Sequence, residues 1–219
     1  MSFDYRACFI LGKDPIDAVH LEGTFASFGL AFTGAFSSLT YDAGRVKEVE
    51  GPTRDWPAFI ANGNGPAPSA FGQLKAEEFR FDFGFVTLPG LIGAPAPVDG
   101  LMRAAWLDIS DQGLYDMALA LEDQESNVLR FVVALHTALN AVSTALGMET
   151  NALQFIQFFS GQLPTAEVDE RISIAIAPPA ESAAAMKHSR WLREINIDGV
   201  LVLTRYLHGL EEYFPKTDA

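Results

Sequence analysis

The chain has one cysteine, four histidines and only fifteen lysines and arginines among 219 residues. Each shortage excludes a class of function. Cys8 alone cannot form an internal disulfide or a cysteine-based zinc cluster. No two of His20, His136, His188 and His208 are four residues apart, the spacing that sets paired metal ligands on one helix face. No metal and no cofactor is therefore expected. Against 28 aspartates and glutamates, the few cations leave a net charge of −13, which removes any general attraction to phosphate backbones or anionic lipid. Walker A, dinucleotide-binding, G-x-S-x-G and H-E-x-x-H motifs are all absent.

Long apolar runs are missing too. The stretch without charge from Phe131 to Met148 carries five polar side chains, His136, Thr137, Asn140, Ser143 and Thr144, so no membrane span is expected. At the start, Asp4 and Arg6 flank an apolar run too short for a signal peptide, and no N-x-S/T acceptor occurs. A cytoplasmic location is the expectation that follows.

What is present is apolar bulk. Hydrophobic residues make up 49% of the chain, with seventeen phenylalanines, enough for one sizeable core across residues 1–219 or for two intimately packed halves. Seven of the twelve prolines and eight of the eighteen glycines lie between Gly51 and Gly100, marking a loop-rich connecting zone. The expected class is α+β, a mixed or antiparallel sheet packed on two helices. A long central helix is predicted over 126–147, because Val128, Val132, Leu135, Leu139, Val142 and Leu146 repeat every three or four residues, with Ser126 as N-cap and Gly147 at C′. An N-terminal helix is predicted over 15–32, opened by Asp14-Pro15 and carrying Leu21, Phe25, Phe28 and Phe32 on one side.

Strands are expected at Phe3–Gly12, within Ala35–Glu50 as a pair, at Phe79–Val86, Tyr115–Glu122, Leu153–Phe159 and Arg171–Ala177, and as a hairpin about Asp198-Gly199. Short helices are expected at Trp56–Ala61, Asp99–Asp108 and Ser182–Arg193.

Phe83-Gly-Phe-Val-Thr-Leu resembles the third-strand signature of the RNA recognition motif, in which exposed aromatics stack on bases. That signature wants a basic residue and a glycine where this chain has Phe81 and Asp82, so the segment reads as a core strand with a phenylalanine face. Asp108 to Gly113 imitates the start of a calcium loop, but Leu119 stands where the bidentate glutamate belongs.

The sharpest charge feature is a run of six acids with no lysine or arginine among them: Asp108, Asp111, Asp116, Glu122, Asp123 and Glu125. Such a surface speeds and orients the docking of a cationic protein. The leading expectation is a non-catalytic binding protein with a basic protein partner, of the inhibitor or immunity type. A second expectation is an enzyme or small-ligand protein whose pocket beside the central helix is lined by His136, Asn140 and Ser143, with His208 as companion. A third is a homo-oligomer that buries the Phe79–Phe85 or Phe155–Phe159 surface between copies.

Overall fold

The computed structural model describes residues 4–42, 45–51, 57, 59–61, 69–75, 80–87, 103–110, 124–187, 192–197 and 199–205. Among the described residues ten strands form one sheet: β1 (Asp4–Leu11), β2 (Ala31–Asp42), β3 (Arg45–Gly51), β4 (Ser69–Lys75), β5 (Arg80–Thr87), β6 (Arg103–Ser110), β7 (Ala141–Met148), β8 (Ile172–Ile176), β9 (Arg193–Ile197) and β10 (Val200–Thr204). Their order across the sheet is β3-β2-β4-β5-β6-β1-β7-β8-β10-β9, and every pairing is antiparallel. The α+β expectation holds in this form.

Alternation along the strands builds two cores. On β1, Tyr5, Ala7 and Phe9 face one side and Cys8 the other. The first side also takes Phe81, Phe83 and Phe85 of β5, Leu107 and Ile109 of β6, Leu146 of β7 and Ile174 of β8. It is covered by α1 (Ala18–Ser27) and α2 (Gln124–Ala138). Phe25 meets the rings of Phe83 and Phe131 there, with centroids 5.1 and 6.3 Å apart. The second side takes Trp106, Ala145, Ala175 and Leu203 under α3 (Ala152–Phe159), α4 (Thr165–Arg171) and α5 (Ala180–Met186). The result is helices on both faces of an antiparallel sheet. Phe81, Phe83, Phe85, Phe155 and Phe158 are all buried within the chain itself, and Phe79 lies outside the described residues.

Several expected elements change. The central helix predicted over 126–147 stops at Ala138, and 141–148 is β7. Asn140 ends the helix with φ +50, a left-handed conformation that asparagine tolerates better than most residues. Beyond it the chain lies between β1 and β8, with helices over both sides of the sheet. A strand covered on both faces loses its polar alternation, so its apolar spacing imitates a helix. The distinction shows in burial: Val142, placed on the helix stripe by spacing, is 59% exposed, and Thr144, placed on the polar edge, is 0% exposed.

The N-terminal helix covers 18–27 rather than 15–32. Asp17, not Asp14, is the N-cap, its carboxylate accepting from the Val19 and His20 N–H groups. Gly29 at φ +71 then turns the chain into β2, which carries Phe32 back to stack on Phe59 at 5.0 Å.

Leu153–Phe159 is helical rather than extended. Asn151 and Gln154 form a reciprocal capping box that starts α3, and Phe155, Phe158 and Phe159 share its buried side. The helix expected at Asp99–Asp108 is β6 over its described part. The helix expected at Ser182–Arg193 is α5, which ends at Met186, and Arg193 opens β9.

Residues 57 and 59–61 are helical, as expected, and strands appear at β1, within β2–β3, at β5, at β8 and in the β9–β10 hairpin. The strand expected at Tyr115–Glu122 lies outside the described residues. No helix of the described residues is long and apolar enough to cross a membrane.

Candidate functional site

Of the six clustered acids, Asp108 is the one whose side chain lies within the described residues. Asp111, Asp116, Glu122 and Asp123 lie outside them, and Glu125 is described only as a backbone position in α2. Asp108 sits on β6, with Arg6 of β1 as its register partner on one side and Asp82 of β5 on the other. Arg6 Nε donates to Asp108 Oδ1 at 2.8 Å, and the Trp106 indole N–H donates to the same oxygen at 3.0 Å. Arg6 also donates to the Thr150 carbonyl at 3.3 Å, tying the row to the start of α3.

Partial burial pushes the Asp108 carboxyl above its ordinary range. The Arg6 charge and the two hydrogen bonds pull it back, and the nearby Asp82 charge adds a smaller upward push. Like charges directly opposite on neighbouring strands repel, and here the third strand supplies the compensating cation. Asp82 itself is exposed. Arg6, Asp82 and Trp106 were not singled out from the sequence. The only available signal was that Arg6 and Asp82 interrupt strands otherwise rich in apolar residues.

His136, Asn140 and Ser143 do not come together. His136, on the last turn of α2, is buried, and its Nδ1 lies 2.9 Å from the Thr144 hydroxyl. Burial lowers its affinity for a proton. Ser143 precedes Thr144 on β7 and therefore points to the opposite face of the sheet, where its hydroxyl donates to the Ile176 carbonyl at 3.4 Å. Asn140 is exposed at the corner between α2 and β7, and its amide donates to the Pro15 carbonyl at 3.0 Å. The grouping relied on one helix running through all three positions, and the helix ends before two of them. His208 lies outside the described residues.

That corner is held tightly. The Asn140 carbonyl accepts from the Gly12 N–H at 3.0 Å. A Cβ on Gly12 would lie 2.8 Å from the same carbonyl oxygen, so only glycine lets the two backbones approach this closely.

Two other polar groups are engaged in the fold. The Arg205 guanidinium wraps the end of α4, donating to the carbonyls of Val168, Asp169 and Ile172 and to the Asp169 carboxylate at 2.9 Å. The Cys8 thiol is wholly buried, which raises its pKa well above the ordinary thiol value. Among the described residues no group of three or more His, Cys, Asp and Glu side chains is placed to hold a metal ion. Comparison with protein-family models, with curated proteins and with solved structures finds no match to this chain.

Proposed function

We propose that this chain is a non-catalytic binding protein whose acidic surface docks a basic protein, in the manner of an inhibitor or immunity protein. The reading rests on one observation: the six acids from Asp108 to Glu125 are uninterrupted by any lysine or arginine in a chain of net charge −13. The position of Asp108 supports it. Asp108, the first acid of the run, lies near the end of β6 with the exposed Asp82 of β5 as its register partner. A surface of one sign raises the rate at which an oppositely charged partner arrives and orients. The partner this reading requires is a basic, cytoplasmic protein, and the docking needs no cofactor.

Replacing Asp116, Glu122 and Asp123 together by lysine tests the reading. Wild type and variant are immobilised side by side and exposed to extract of the native cell at low and physiological salt. Basic proteins retained by the wild type should be lost from the variant. With the retained protein purified, association should slow by tenfold or more, with a weaker salt dependence, while dissociation changes less. Equal retention and equal association rates, in a variant that unfolds at the wild-type urea concentration, would show that the acidic surface is not the docking face.

A further inference from the structure

We propose that the corner joining α2 to β7 is a latch that opens in acid, with His136 as its trigger. His136 in the last turn of α2 and Asn140 just beyond it tie three segments together. His136 pins the turn to Thr144 of β7, the Asn140 carbonyl holds the Gly12 N–H at the end of β1, and the Asn140 amide holds the Pro15 carbonyl ahead of α1.

β7 is itself fixed in the sheet, since Thr144 is paired with Phe9 of β1 and Ile176 of β8. The helix end, although its Leu135, Ala138 and Leu139 are buried, is held by fewer backbone hydrogen bonds than the doubly paired strand. Leu139 and Asn140 donate to the carbonyls of Leu135 and Thr137, and Asn140 is already in a left-handed conformation. When this corner gives way, the helix end lifts and the strand stays.

Among the described residues, no charged side chain is paired with His136. β7 and β8 carry no titratable side chain. On α1, which packs on α2, His20 and Glu22 are exposed. On α2 itself Arg130 is exposed, and Glu125 lies eleven positions earlier in sequence, roughly 16 Å along the axis. The low affinity of the ring for a proton accordingly comes from burial. In water the balance reverses, because a cation in the last turn of a helix is favoured by the helix dipole. Protonation thus penalises the docked state and favours the lifted one.

The sign follows from linkage. A histidine whose folded pKa is lowered leaves the folded state fully stable above its ordinary range near 6.5, and stability is lost as pH falls through that range toward the folded value. For one proton, the opening constant rises by at most about tenfold per pH unit.

Hydrogen exchange between pH 7.5 and 5 tests this. Protection factors are compared rather than rates, which removes the intrinsic pH dependence of exchange. At Gly12, Leu139 and Asn140 the wild-type protection should hold down to about pH 6.5 and fall several-fold per pH unit below it, while amides of β5 and β6 keep theirs. In His136→Gln, which retains a hydrogen-bonding side chain but cannot become cationic, protection at the same three amides should be flat.

An equal fall in His136→Gln would remove His136 as the trigger. A parallel fall in β5 and β6 would show general acid unfolding, which also overturns the latch. Should His136→Gln not fold, the wild-type ring can be followed by its Cε1 carbon resonance. Loss of protection in step with ring protonation supports the latch, and ring protonation with the three amides still protected refutes it.

Discussion

Thr144→Val should destabilise the protein and Val142→Thr should not, although helical spacing over 126–147 orders the two the other way. In the structure Val142 is 59% exposed on β7, so a hydroxyl there remains in water. A β-branched residue replaces another, and the change in stability should stay within about 0.5 kcal/mol.

Thr144 is 0% exposed, and its hydroxyl is 2.9 Å from His136 Nδ1. Valine removes that partner from a buried ring, which costs roughly 1–3 kcal/mol, while the added apolar group returns up to about 0.8 kcal/mol. A net loss of about 1.5 kcal/mol is expected. With a urea slope of about 2 kcal/mol/M, the Thr144→Val midpoint should fall by about 0.7 M and that of Val142→Thr by less than about 0.25 M.

Were 126–147 one helix, Val142 would lie in the buried stripe, and its hydroxylated variant would lose roughly 1–3 kcal/mol. Thr144 would then sit on the polar edge and accept valine freely. Urea unfolding of the two variants beside the wild type decides the matter. A larger loss for Val142→Thr than for Thr144→Val would refute both the strand assignment and the His136–Thr144 contact.

Two further outcomes follow from the polar contacts. Arg205→Ala should cost on the order of 3 kcal/mol in urea unfolding, because it strips the donors from three carbonyls at the end of α4, and Arg205→Lys should recover little, since an ammonium cannot span them. Arg6→Ala should destabilise at pH 7 by about 1 kcal/mol, because Asp108 keeps its half-buried charge beside Asp82 without its cation. The Asp108 carboxyl titrates above its ordinary value when folded, so its ionisation weakens the fold as pH rises through the range just above 3.8. That weakening should be steeper in Arg6→Ala, and a variant whose stability between pH 4 and 6 parallels the wild type would show that Arg6 does not govern Asp108.

The candidate site was legible only in part. Clustered acids are visible in any listing of charges, and Asp108 was found in that way. Its partners were not, because Arg6 and Asp108 are 102 positions apart and meet only through the β1–β6 register. His136 stood out as a lone histidine in an apolar stretch. Its partner Thr144 is eight residues away, and a helix would have placed the two more than two turns apart. Instead the reversal at Asn140 folds β7 back beneath α2.

Composition and local pattern by themselves determined the α+β class, the Phe81-Phe83-Phe85 core face, the β1 strand, the Asp-Gly hairpin and the excess of negative charge. Each depends on neighbours within a few positions or on simple counts. The tertiary structure decided whether 141–148, 103–110 and 153–159 were helix or strand. β6 and β7, which flank β1 and are covered on both faces over most of their length, show no polar alternation to mark their period, and α3 is too short for its apolar spacing to declare itself without its cap. In such segments local preference is outweighed by the backbone hydrogen bonds that adjacent strands demand and by the area the helices above them cover.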